Sequence, residues 1–147
     1  DNVQMVCRLI DERYPDYDNV IPSNNTNLVT LNKSEILGSL KRISIYANKT
    51  TNQVRLKITG SEILMSAEDL DFSNEANERI SCDHDGDDIE IGFNAKFLIE
   101  LLMNVDSDKV ILKLSEPNKA GLIIPESMGE NEEITMLVMP VMLNDNV

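Results

Sequence analysis

The stretch Leu28-Val29-Thr30-Leu31-Asn32-Lys33-Ser34-Glu35-Ile36-Leu37-Gly38-Ser39-Leu40 decides the fold, because its pattern occurs twice. Leu28 to Leu31 read as a short strand. Asn32 is a helix-capping residue with Glu35 at the capping-box position. Ile36, Leu37, Leu40 and Ile43 then recur at i, i+1, i+4 and i+7, one apolar stripe on a helix from about Lys33 to Tyr46. Later, Ile89-Glu90-Ile91-Gly92-Phe93 reads as a strand and Asn94 as the cap of a helix carrying Leu98, Ile99 and Leu102. Setting Asn32 on Asn94 aligns Ile36, Leu37 and Leu40 with Leu98, Ile99 and Leu102.

Each helix is followed by three predicted strands. In the first half these are Val54–Thr59, Glu62–Ala67 and Asn77–Cys82, with turns at Gly60-Ser61 and Asp85-Gly86. In the second half they are Val110–Leu114, Gly121–Ile124 and Ile134–Met139. The order β-α-β-β-β therefore occurs twice. An internal duplication of this kind predicts an α+β fold, with two amphipathic helices on one face of a mainly antiparallel sheet.

Before the first unit, Val3, Met5, Cys7 and Leu9 alternate with Asn2, Gln4 and Arg8, broken only by Val6, so residues 1–12 read as one strand. Pro22-Ser23-Asn24-Asn25-Thr26-Asn27 has linker chemistry. A lone strand cannot bury itself, so residues 1–22 are expected to be the last strand of a preceding domain plus a linker, and 23–147 a domain of their own. The chain starts mid-sheet without Met, and is expected to be a fragment of something longer.

Thirteen basic against 26 acidic side chains give a formal charge of −13 in 147 residues, which argues against gripping nucleic acid or anionic membrane by bulk electrostatics. No apolar run approaches the roughly 20 residues of a membrane helix. Cys7 and Cys82 are too few and too far apart for a disulfide framework or a C-x-x-C site, and the sequons at Asn24, Asn32 and Asn48 arise readily in an Asn-rich chain, so a cytoplasmic location is expected. No phosphate-binding glycine loop supports catalysis, no triad can be argued around the lone His84, and no cofactor or metal is expected. Asp83-His84-Asp85-Gly86-Asp87-Asp88 lacks the order of a calcium loop and reads as a polar hairpin turn. A metal-dependent hydrolase using Asp83 to Asp88 with Glu90 is kept as the alternative, beside a plain acidic interaction module.

Three segments carry a family resemblance. Arg8-Leu9-Ile10-Asp11-Glu12-Arg13-Tyr14-Pro15-Asp16-Tyr17 resembles the L-I-D-G-R-F-P-D-Y junction of bacterial sliding clamps, the beta subunits of DNA polymerase III. Ile91-Gly92-Phe93-Asn94-Ala95-Lys96-Phe97-Leu98 resembles their I-G-F-N-x-x-Y-L segment, and Leu137-Val138-Met139-Pro140-Val141-Met142-Leu143 their terminal V-V-M-P-M-R-L. The resemblance covers essentially the whole chain, as the end of the middle clamp domain plus the third domain. It implies a non-catalytic part of a head-to-tail homodimeric ring around duplex DNA. Through short Leu/Phe peptides the ring tethers polymerase subunits, the clamp loader and repair proteins.

By position, the resemblance places Pro15, Asn19, Val20, Asn94, Phe97, Ala120, Leu137, Val138, Met139, Pro140, Val141, Met142 and Leu143 in the client-peptide pocket. It places Ile45 and Tyr46 at the ring interface, and Lys33, Lys41 and Arg42 on the helix face toward DNA. Without a first domain, this chain is expected to be a monomer, or a non-native oligomer through exposed ring and pocket surfaces. Three departures stand out: Glu12 for glycine, Phe97 for tyrosine, and Met142 for arginine ahead of the extra tail Asn144-Asp145-Asn146-Val147.

Overall fold

In a computed structural model that describes residues 2–143, the chain forms nine strands and two helices. The first unit comprises β1 (Asn27–Asn32), α1 (Lys33–Ile43), β2 (Gln53–Thr59), β3 (Glu62–Asp69) and β4 (Asn74–Ser81). A short strand, β5 (Asp83–Asp85), leads to the second unit: β6 (Ile89–Asn94), α2 (Ala95–Met103), β7 (Lys109–Leu114), β8 (Gly121–Pro125) and β9 (Met136–Val138). The predicted duplication is present element by element.

The strands are divided between two antiparallel sheets, and the units exchange their first strands. One sheet runs β5-β1-β7-β8-β9 and the other β4-β3-β2-β6. β1 thus pairs with the second unit, from Asn27 opposite Leu114 to Asn32 opposite Lys109. β6 pairs with the first unit, from Asn94 opposite Gln53 to Ile89 opposite Ile58.

The helix starts repeat the same exchange. Asn32 Oδ1 accepts the amide of Glu35 at 3.2 Å, and Asn94 Oδ1 accepts that of Lys96 at 2.9 Å. The amide of Lys33 donates to the carbonyl of Asp108 at 2.9 Å, and that of Ala95 to Asn52 at 2.8 Å. Each helix is therefore fastened to the residue just before the strand that its own leading strand pairs with. The last turn of the first helix tightens into a 3-10 turn at Ser44–Tyr46, which accounts for the predicted helix end at Tyr46.

Alternation in the strands and the helix stripes converge on one core. Val29 and Leu31, Leu112 and Leu114, Leu56 and Ile58, Met65, Ile91 and Phe93 meet Ile36 and Leu40 of α1 and Leu98 and Leu102 of α2, all essentially inaccessible to solvent. Phe93 is the largest of them, and truncating it to alanine would cost about 3–5 kcal/mol. Leu37 and Ile99, aligned by the repeat, both lie at the edge of this core.

Among the described residues, 2–12 pair with no strand and their apolar side chains are exposed, Val3 at 95% and Leu9 at 87%, as expected of a segment whose sheet belongs to a preceding domain. Two sequence expectations are corrected. Asp83 to Asp85 form a strand on the open edge of β1 (Leu28 opposite Asp85, Thr30 opposite Asp83), not a polar turn, because a free edge overrides the poor strand propensity of aspartate. The last strand is shorter than expected: Ile134 and Thr135 are unpaired.

The repeated caps make unequal contributions. Asn94 also donates from Nδ2 to the carbonyl of Thr51 at 3.1 Å, whereas the second bond of Asn32 is to its neighbour Ser34. Asn32→Ala is expected to lower stability by about 1 kcal/mol and Asn94→Ala by more, read from urea unfolding midpoints.

Candidate functional site

The terminal segment runs from one sheet to the other. β9 pairs with β8, with Leu137 opposite Leu122 and Val138 opposite Gly121, and it ends before Pro140, which has no amide to donate. The chain then crosses to the other sheet, where Val141 donates its amide to the carbonyl of Gly92 on β6 at 2.9 Å. A Cβ on Gly92 would lie 2.6 Å from Leu143 Cδ2 and 2.7 Å from the Val141 carbonyl. Only a glycine admits this crossing, and a glycine inside a strand is the sequence signal that marks such an approach.

This crossing gathers several of the predicted client-site residues. Val141 and Leu143 lie against Gly92 of β6, two residues before Asn94, the cap of α2. Val138 packs beside Gly121, next to the buried Ala120, where a Cβ would sit 2.9 Å from Leu114 Cδ2 and 3.5 Å from the Phe93 ring. Phe97, Met139 and Met142 turn outward, exposed at 59%, 59% and 72%. Leu137, Pro140, Val141 and Leu143 are half-buried. The result is a strip of half-buried aliphatic groups flanked by exposed Met and Phe. Such a surface suits an apolar peptide of variable shape, since methionine adapts to its neighbours. Asn94 is already engaged by the Lys96 amide and the Thr51 carbonyl, so its part is mainly to fix the helix end.

Among the described residues, Pro15, Asn19 and Val20 make no hydrogen bond to this strip. They lie on an exposed segment with a 3-10 turn at Tyr17–Asn19, held locally by Asn19 Nδ2 donating to Asp16 Oδ2 at 2.8 Å and by Val20 donating to Tyr17. Tail residues 144–147 fall outside the described residues. A cavity of about 460 Å³ opens elsewhere, between Asn48, Thr51, Arg55, Glu68, Asp71 and Asn77, and a smaller one lies near Lys57 and Asp88. No predicted client-site residue lines either.

The three helix cations differ in their surroundings. Arg42 forms a two-pronged ion pair with Glu78 of β4, Nε to Oε1 and Nη2 to Oε2 both at 2.7 Å, and also reaches the Ser39 hydroxyl. That guanidinium, aided by Ser39, lowers the Glu78 carboxyl from an ordinary 4.5 to about 2. Lys33 Nζ donates to the carbonyl of Val105 at 2.8 Å, and Lys41 is exposed. Ile45 and Tyr46 are exposed at 66% and 44% rather than folded into the core, and the nearby turn between β3 and β4 exposes Leu70 and Phe72. β4 is an edge strand. Neither this edge nor the Arg42–Glu78 pair carries a local sequence signal, because their partners are remote.

The hydrolase alternative finds no site. Among the described residues no three His, Cys, Asp or Glu side chains come together as metal ligands. Glu90 is paired with Arg55, Asp88 accepts the amide of Gly60, and His84 lies between the Asn27 side chain at 2.6 Å and the Gly60 carbonyl at 3.2 Å. Partial burial pushes the Cys82 thiol up, away from reactivity.

A family model for the C-terminal domain of the DNA polymerase III beta subunit matches residues 18–142. The chain belongs to this family. The clamp-family chain is 30% identical over 136 residues to the beta sliding clamp of Pseudomonas putida, covering 92% of itself and 36% of that protein. It is 30% identical to a beta sliding clamp homolog of Streptomyces muensis, covering 94% of itself and 37% of the relative. The Pseudomonas aeruginosa sliding clamp, solved bound to griselimycin, superposes with a TM-score of 0.85 at 26% identity over 92% of this chain and 36% of that one. The chain thus spans a little over a third of the length of the relatives it matches. The α+β fold expected from the duplication, and the clamp fold implied by the resemblance, are the fold of this family.

The Arg42–Glu78 pair sets an acid response. Because the Glu78 pKa is lowered on folding, its contribution is full above about 4.5 and is lost as pH falls toward about 2. Glu78→Gln is therefore expected to be modestly less stable than the native chain at pH 6, the pair being largely solvent-exposed, and to converge with it near pH 2 in urea melts across that range.

Proposed function

We propose that residues 23–147 are the third domain of a ring-forming sliding clamp, and residues 1–22 the end of the middle domain with its linker. In this reading the chain is a non-catalytic component of a cytoplasmic homodimeric ring. The ring encircles duplex DNA and holds DNA polymerase, the clamp loader and repair proteins by their short Leu/Phe peptides. The observation that carries the reading is the course of residues 136–143, which lays Leu137, Val141 and Leu143 half-buried across two sheets with Met139 and Met142 exposed beside them. Apolar, adaptable surface of this kind is what a family of different short peptides requires.

The acidic balance is compatible with DNA because a closed ring holds its duplex by threading rather than by affinity. The inner face then needs only scattered cations, for which Lys33, Lys41 and Arg42 are proposed. Arg42 brings least free charge, being already paired with Glu78. Ile45 and Tyr46, exposed beside the edge strand β4, are proposed for the ring joint. Met142 in place of arginine removes a charge from the pocket rim and favours apolar clients.

Gly92→Ala tests the pocket without touching any residue assigned to it. The added methyl group would lie 2.6–2.7 Å from Leu143 and the Val141 carbonyl, so the terminal segment must shift. In fluorescence titrations, a labelled Leu/Phe peptide is expected to bind the native chain weakly, to be displaced by griselimycin, and to bind Gly92→Ala at least tenfold more weakly. Equal binding to both chains would place the peptide elsewhere.

A further inference from the structure

The segment that carries Pro15, Asn19 and Val20 is fastened to the sheets by a neighbour outside the proposed pocket. Among the described residues, the hydrogen bonds tying residues 15–26 to the rest of the chain come from one side chain, Asn25. Its Nδ2 donates to the carbonyl of Lys113 on β7 at 2.8 Å and to that of Ala120, just before β8, at 3.0 Å. Both contacts are carbonyl oxygens, so the amide orientation is settled: Nδ2 faces them and Oδ1 faces away. Among the described residues, Asn25 Oδ1 is buried without a partner, as is the hydroxyl of Ser115 in the β7–β8 turn. A buried unpaired oxygen is costly, so the double donation is retained against a penalty.

We propose that Asn25 is a positioning residue of the client site: it latches the linker half of the pocket to the hairpin that carries Ala120. The inference rests on the client-site reading above. Its geometric content is a tether length. Asn25 lies five positions after Val20, a reach of at most about 18 Å. Without the latch the first fixed residue is Asn27 at the start of β1, and the reach grows to about 25 Å. Effective concentration falls roughly as the −3/2 power of tether length, so lengthening alone costs a peptide that bridges both halves a factor of about 1.7. Loss of the linker's orientation adds to that.

The test uses the full chain and two variants, Asn25→Ala and the near-isosteric Asn25→Asp, which keeps the shape but loses both donors. Amide relaxation of residues 15–26 is measured without peptide, and a short synthetic Leu/Phe peptide is then titrated by NMR. The latch predicts faster motion of residues 15–24 in both variants, an unchanged pattern of core shifts, and a peptide Kd raised about twofold or more. Asn25→Gln, with the same amide on a longer arm, is expected to recover part of the loss. Unchanged linker motion in both variants would overturn the latch. A loosened linker with unchanged Kd would overturn the positioning role. If the native chain shows no shifts at millimolar peptide while the variants still loosen, it is the client-site reading that fails, and the positioning role falls with it.

Discussion

The exchange of leading strands between the two halves is the constraint on which the rest depends. β1 finds its hydrogen bonds on β7, and β6 finds its own on β2, so neither β-α-β-β-β unit satisfies its own backbone. Each helix is anchored at the crossing point, through Lys33 to Asp108 and Ala95 to Asn52. With the sheets tied in this way, the helix stripes have a shared interior to fill. The free edges fall where the chain has uses for them: β4 beside Ile45 and Tyr46, and β6 beside the terminal segment.

Local patterns are enough to read the units themselves. Capping asparagines, the stripe of Ile36 and Leu40 and its copy at Leu98 and Leu102, and the Gly60-Ser61 turn each report on a few neighbouring residues. Pairing partners are not readable, since β1 and β6 have the same strand character and nothing nearby says which hairpin receives them. The same limit explains Asp83 to Asp85, which look like a turn yet meet the open edge of β1.

The site is legible in its composition and not in its geometry. The run from Leu137 to Leu143 stands out as apolar around a proline, but its bridge to Gly92 spans almost fifty residues of sequence. Gly92 could have been singled out as a glycine inside an otherwise bulky strand. Asn25 could not, because linker asparagines are common and its two carbonyl partners lie far along the chain. In sequence Arg42 is one more cation on a helix surface, and only the third dimension brings Glu78 to it.

The crossed pairing of β1 with β7 also bears on how the molecule comes into being. A chain made from its amino end exposes Val29 and Leu31 long before the residues that cover them exist, and the first helix has no complete floor until β6 has emerged. Closing that loop is entropically slow, and fold formation of this topology waits for nearly the whole sequence. During synthesis the amino half is therefore a sticky, unfinished sheet.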